Sequence, residues 1–276
     1  MEQFPNLKWI NSGGNVGFSK ANNLGAAIAQ GEYLLFLNCD TLIFDQSIQN
    51  AMRFVKEHPE YVSIGGIQLD NNLSPLPYFH TLNDIRKTFY FLPSFGGKIL
   101  DFLLPAEDFK NLETNNLVGA FLLLSKNNFQ KAGGWDEDFF MYAEDAEFSY
   151  RLSKLGKLTY LPNVQFIHRV QNNEFRRTNE SWGNRFSMQI QLSNFLWIRK
   201  SYGVLPLLLI YFNYLLFLPI FWLWKLFRNL LERKRLFKDT PNQQLLTRKI
   251  GILIAYLPKL ILLTSPPFKI LPKENI

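Results

Sequence analysis

Cysteine is nearly missing from this chain: Cys39 is the only one in 276 residues. That excludes an internal disulfide and any metal site built from several cysteines. Residues 1–10 lack the charged-then-apolar pattern of a secretory signal peptide. No internal repeat or low-complexity tract interrupts the chain. Acidic charge is scarce at one end. Residues 225–276 hold 11 Lys/Arg against 3 Asp/Glu, which leaves residues 1–224 with a net charge of −1. No basic face interleaved with exposed aromatics can be read from the pattern, which argues against nucleic acid as a partner. The basic end instead follows the most apolar stretch, a pairing that suits an anionic membrane surface.

What is present is a chain able to bury a sizeable core. Apolar residues make up 47% and charged residues 19%, which excludes a disordered chain. The pattern predicts helices over 19–30 (with Ser19 as N-cap), 45–58, 128–132, 144–155 and 184–200. Strands are predicted over 33–37, 61–69, 117–124, 158–161 and 164–168. The unbroken apolar run Tyr33-Leu34-Leu35-Phe36-Leu37 reads as a strand buried on both faces. This alternation predicts an α/β fold with a mainly parallel sheet and helices on both faces. Sites in such sheets gather at the carboxyl ends of strands. Residues 70–114 are long and irregular, the pattern of a lid or binding loop, or of a connector.

Residues 204–224 run 21 positions without a formal charge. At about 1.5 Å per residue they could cross a bilayer core of about 30 Å. Asn213 and Pro219 weaken that reading, as do the five basic residues that follow between Lys225 and Arg235. The run suits an interfacial helix, or a re-entrant hairpin with the second apolar run at 250–263. A pair of soluble helices packed on the α/β domain is the plain alternative. The expected division is an α/β domain over 1–200 and a basic, apolar, membrane-associating helical tail over 201–276.

Three clusters carry candidate chemistry. Asn38-Cys39-Asp40 follows a buried strand, and a carboxylate there can hold a hard cation such as Mg²⁺ beside substrate phosphates; an ordinary strand-to-loop turn would use the same residues. Gly133-Gly134-Trp135-Asp136-Glu137-Asp138 leads to Glu144-Asp145 at a predicted helix start. The helix N-terminus favours both acids as anions, so Asp145 could accept a proton. Simple helix capping accounts for the same pair. His168 closes the last strand, where a structural histidine is the commoner finding.

The order of these segments resembles family 2 glycosyltransferases of the rhamnosyltransferase type. The resemblance rests on Asn15-Val16-Gly17-Phe18 through Gly25, Gly31 through Asp40, Val118-Gly119-Ala120-Phe121, Gly133-Gly134-Trp135-Asp136-Glu137, Tyr142-Ala143-Glu144-Asp145 and His168. It implies a GT-A-like fold and inverting transfer of a sugar, dTDP-rhamnose or similar, from a nucleotide-sugar donor to an acceptor hydroxyl. The acceptor would be a glycan or lipid-linked glycan in cell-surface polysaccharide synthesis, at the cytoplasmic face of the inner membrane. Asp40 would hold Mg²⁺ or Mn²⁺ against the donor pyrophosphate, with His168 as a further ligand. Asp145 would be the general base and Glu144 would orient it. Asn15, Gly17, Asn23, Asn38, Gly119, Ala120, Trp135 and Asp136 would line the donor and acceptor sites.

Relatives of this type carry a strand, a helix and a second strand ahead of the Asn15-Gly17-Phe18 segment, so the resemblance also implies an N-terminally incomplete domain. Cys39, and Arg169-Val170-Gln171 after the histidine, depart from the family pattern. A catalytically impaired remnant and a polyprenyl-phosphate glycosyltransferase are the alternatives the sequence leaves open.

Overall fold

The computed structural model describes residues 7–70, 72–76, 113–168 and 180–264. These form two compact units, one holding the described residues up to 193 and the other residues 194–264. The expected lid over 70–114 lies largely outside the described residues, as do Arg169-Val170-Gln171 and the last stretch of the basic tail.

The first unit is a mixed sheet with helices on both faces. In chain order it contains α1 (Phe18–Ile28), β1 (Tyr33–Leu37), β2 (Thr41–Ile43), α2 (Ser47–Glu57), β3 (Tyr61–Leu69), β4 (Glu113–Thr114), β5 (Phe121–Ser125), α3 (Lys126–Lys131), α4 (Glu144–Leu152) and β6 (Lys157–His168). The strand order is β1-β5-β3-β6-β2, with β4 also on β6. Strands β1, β3 and β6 share one direction, but β5 is inserted between β1 and β3 and runs against both. Among the described residues only β3 and β6 therefore pair in parallel, which corrects the expectation of a mainly parallel sheet. An apolar run reports burial and carries no information about the direction of a neighbour. The expected pair of strands at 158–161 and 164–168 is one strand, β6, whose register against β3 shifts between Gly66 and Ile67.

Helices cover the sheet through side chains spaced for one face. On one side Phe18 and Ala26 of α1, Phe129 of α3, and Phe148 and Leu152 of α4 pack with Leu34, Phe36, Leu122 and Leu124. On the other, Ala51 and Val55 of α2 meet Ile64, Phe121, Leu123 and Phe166. The four-residue spacings 51/55 and 148/152 place each pair on one helical stripe. Helix α2 stops at His58, because a residue before proline is driven out of the helical region. Ser125 caps α3 by accepting from the Asn128 amide. Ser19 does not cap α1: Gly17 holds that position at φ 88°, and Ser19 is fully buried as the second residue of the helix.

The second unit contains the end of α5 (Glu180–Tyr202), α6 (Val204–Leu231) and α7 (Pro241–Leu262). Helix α6 runs unbroken through Asn213 and Pro219. It packs against α7 as an antiparallel hairpin, tied where the Tyr211 hydroxyl donates to the Leu253 carbonyl at 2.7 Å and the Trp222 indole donates to Thr247 Oγ1 at 2.9 Å. Arg199 donates from Nε and Nη2 to the Ile261 carbonyl near the end of α7. By length and composition α6 is apolar enough to cross a membrane.

Candidate functional site

One end of the sheet collects most of the residues that the sequence singles out. Strand β1 ends at Leu37 opposite Phe121, the first residue of β5, and β6 ends at His168 opposite Thr41, the first residue of β2. The antiparallel insertion of β5 therefore delivers Gly119 and Ala120 to the same end as Asn38 and His168. The backbone amide of Asn38 donates to the Ala120 carbonyl at 3.2 Å, joining the two strand ends directly.

Asn38, Asp40 and His168 meet there. His168 Nε2 lies 3.0 Å from Asp40 Oδ1 and 3.1 Å from Asn38 Nδ2. A single ring nitrogen cannot donate to the carboxylate and accept from the amide at once. Either the amide turns its oxygen to an Nε2–H, or Nε2 and the carboxylate present lone pairs together. In the second state they fit a divalent cation, since neighbouring ligands about 2.1 Å from an octahedral ion stand about 3 Å apart. Among the described residues no group of three or more His, Cys, Asp or Glu side chains gathers to form a closed metal cage. The two donors suffice for an ion completed by water and phosphate oxygens.

Asp145 reaches the same sheet end beside Gly119. Its Oδ1 accepts from the Ala146 amide at 2.9 Å and its Oδ2 lies 3.4 Å from the Gly119 amide. The Asp145 carboxylate is thus linked to the Asp40–His168 cluster through Gly119, Ala120 and Asn38. Gly119 is buried, and a Cβ there would stand 3.3 Å from the Phe18 ring and 3.6 Å from Asp145 Cβ. A side chain at 119 would fill the space beside the carboxylate.

Glu144 behaves differently from the expectation that both acids are held as anions. Its side chain is 8% exposed and Oε2 has no hydrogen-bond partner among the described residues. Burial, reinforced by the Asp145 charge, pushes the Glu144 carboxyl up to about 8. The favourable helix terminus does not overcome the loss of hydration. Adjacent acids in one helical turn are therefore sorted by environment, Glu144 buried and pushed toward its neutral form, Asp145 partly exposed. The turn before them holds two non-glycine residues in the left-handed region, Tyr142 at φ 73° and Ala143 at φ 62°. Such conformations cost about 1–3 kcal/mol each and concentrate at functional sites.

The remaining candidates support the site from behind. Asn23 is committed to the 133–138 loop: its amide donates to the Trp135 carbonyl at 2.8 Å and to Glu137 Oε1 at 3.0 Å, and its Oδ1 accepts from the Trp135 amide. Trp135 itself is 2% exposed, edge-on to Phe18 and Phe36 and packed on Phe148. The indole is a core anchor with no open face for a sugar, which corrects its expected place in the binding surface. Asp136 accepts from the Asp138 amide in a local turn. Asn15 Oδ1 accepts from the Gly17 amide at 3.3 Å, and Gly17 must lack a side chain because a Cβ would run into the Phe140 carbonyl. That carbonyl accepts from the Phe18 amide at 2.9 Å, fastening α1 to the loop that leads into the acid pair.

Two supporting residues escaped the sequence reading. Arg151 donates through Nε and Nη2 to both oxygens of Glu147 at 2.7 and 2.6 Å, and through Nη1 to the Ala132 and Gly134 carbonyls. This clamp fixes α4 to the Gly133-Gly134 turn. In sequence it looks like any exposed i,i+4 pair, and only the 4% exposure of Glu147 distinguishes it. The Ser149 hydroxyl, fully buried, accepts from the Leu117 amide at 2.9 Å and so holds the approach to Gly119.

Over 180 residues the chain is 28% identical to the rhamnosyltransferase WbbL of Escherichia coli K12, a match covering 60% of this chain and 66% of that protein. Over 53 residues it is 42% identical to the N-acetylglucosaminyl-diphospho-decaprenol L-rhamnosyltransferase of Mycobacterium tuberculosis, covering 19% of this chain and 17% of the relative. The chain therefore spans less than two thirds of these relatives. A mannosyltransferase from Pyrobaculum calidifontis, solved with GDP-Man and Mn²⁺, superposes with a TM-score of 0.43 at 15% identity, over 90% of this chain and 58% of that one. The sequence model for glycosyl transferase family group 2 matches residues 33–265, most of the chain, and the protein belongs to that family.

Proposed function

We propose that this chain is an inverting glycosyltransferase that moves a sugar from a nucleotide-sugar donor, dTDP-rhamnose or a close relative, to a hydroxyl of a lipid-linked glycan acceptor. The observation that carries the reading is the short path from Asp40–His168 to Asp145 through the Asn38–Ala120 and Gly119–Asp145 contacts. It brings the Asp40–His168 pair and the Asp145 carboxylate to one sheet end, which supports a cation site and a base acting together in a displacement at an anomeric carbon. The rhamnosyltransferase relatives support the donor class.

In this reading Asp145 takes the proton of the acceptor hydroxyl while its oxygen bonds to the anomeric carbon. The bond from that carbon to the diphosphate oxygen breaks on the far side, and the electron pair leaves with the nucleoside diphosphate. Base catalysis of this kind contributes about 10²–10⁴-fold. Asp40 and His168 would hold Mg²⁺ or Mn²⁺. When bound, such an ion supplies positive charge to the departing diphosphate. Burial pushes Glu144 toward its neutral form, which limits negative charge beside the base. Gly119 leaves room for the sugar against the backbone.

The apolar helix α6 and the basic residues after it support attachment to the cytoplasmic face of a membrane, where a lipid-linked acceptor would be found. The test is calorimetric titration of the chain with dTDP- and UDP-sugars, with and without Mn²⁺. Binding of a dTDP-sugar that requires Mn²⁺ and is lost in Asp40→Asn is expected. Nucleotide-sugar binding indifferent to both the ion and Asp40 would overturn the assignment.

A further inference from the structure

The turn between α6 and α7 is a built surface with no part in the site above. Residues 231–239 are all exposed. Yet the backbone is pinned from inside by Asn229, which is fully buried and donates from Nδ2 to the Leu236 and Lys238 carbonyls, both at 2.7 Å. Its own carbonyl accepts from the Lys234 amide at 2.9 Å. Thr240, 3% exposed, donates to the Phe237 carbonyl. The Phe237 ring stands edge-on to Trp222 at 6.2 Å.

This scaffold presents an unusual mixture. Glu232 is taken up by Arg228 at 3.2 Å and Lys234 at 2.7 Å. Arg233, Arg235 and Lys238 have no carboxylate within 4.0 Å among the described residues. Between them project Leu236, 49% exposed, and Phe237, 68% exposed. Phe227, Leu230 and Leu231 continue the exposed apolar surface back along α6. A nucleic acid would use the cations and leave the aliphatic groups in water. An anionic bilayer takes both, phosphates at the cations and acyl chains at the apolar groups.

We propose that the 232–239 turn is a preformed anionic-phospholipid contact, with Arg233, Arg235 and Lys238 on headgroup phosphates and Leu236 and Phe237 in the acyl boundary. Because Asn229 fixes the loop in advance, little ordering accompanies binding. Each cation near such a surface is worth about fivefold in affinity. The inference rests on the membrane attachment in the proposed function, but it assigns the headgroup preference to this turn and not to α6.

The test is flotation of the full chain with vesicles of phosphatidylcholine alone and with phosphatidylglycerol added. Wild type is expected to bind the anionic vesicles at least about tenfold more tightly, with the preference falling as salt rises. The Arg233→Ser/Arg235→Ser/Lys238→Ser variant should lose the preference while keeping the binding to neutral vesicles, which also shows that it is folded. Phe237→Ser should weaken binding to both. A triple variant that still prefers phosphatidylglycerol, or displacement of wild type by RNA at equal phosphate, overturns the turn's role. Equal wild-type binding to both vesicles also overturns it but leaves membrane attachment standing. No binding to either vesicle defeats that attachment as well.

Discussion

The sheet end and the helical hairpin treat their side chains in opposite ways. At the sheet end, several polar groups are held by specific partners, Asp145 on Gly119, Asp40 on His168 and Asn23 on Trp135, and the large aromatics Phe121, Trp135 and Phe148 are buried. Along the hairpin, Leu205, Leu209, Phe212, Leu216, Leu223 and Trp224 stand exposed, each 47–65% accessible. The same chain thus buries Trp135 to fix a loop and leaves Trp224 open. A folded domain in water does not normally expose a patch of that extent. The contrast supports the proposal that the two regions meet different surroundings, a polar ligand at the sheet end and an apolar phase along the hairpin.

Substitutions at the sheet end should act on chemistry first. Asp145→Asn is expected to lower kcat by about 10²–10⁴-fold, with thermal stability near wild type, as measured by initial rates of sugar transfer and a melting curve. Arg151→Ala should cost about 3 kcal/mol or more, because it strands the buried Glu147 carboxylate and releases two carbonyls; urea denaturation measures it. Removal of both partners in Glu147→Gln/Arg151→Met should cost less, which would show that the loss comes from the orphaned charge.

Glu144 gives a subtler contrast with its neighbour. Its carboxyl is raised in the fold from 4.5 to about 8, so the folded state holds a proton that the unfolded state releases. Its contribution is fully present below pH 4.5 and is lost as pH rises through about 8. Glu144→Gln should therefore flatten the fall in melting temperature across that window while leaving transfer at neutral pH largely intact. A variant that loses as much activity as Asp145→Asn would mean that Glu144 acts as an anion. At the hairpin, Phe212→Ser or Leu216→Ser should reduce partition to vesicles and leave the melting temperature of the sheet unit unchanged.

Much of this was legible before the structure. Strand β3 falls at 61–69 as the pattern predicts, and α4 opens at Glu144. Local composition sets these limits, and the structure agrees. Strand direction was not legible, because Phe121-Leu122-Leu123-Leu124 reads the same whichever way β5 runs. The role of Trp135 was hidden for a related reason: a tryptophan after two glycines suits a sugar platform and a core anchor equally, and only its contacts with Phe18, Phe36 and Phe148 decide. The sorting of Glu144 from Asp145 depends on burial at single-residue resolution, which periodicity does not supply. The Arg151 clamp needed the fold to bring Ala132 and Gly134 to α4.

The most direct measurement is a crystal structure of Asp145→Asn with an intact dTDP-sugar and Mn²⁺. The ion should lie on Asp40 and His168, touching the diphosphate, with the anomeric carbon between it and residue 145. A sugar bound elsewhere, or an ion that ignores Asp40, would contradict a single site shared by the strand-end and helix-opening carboxylates.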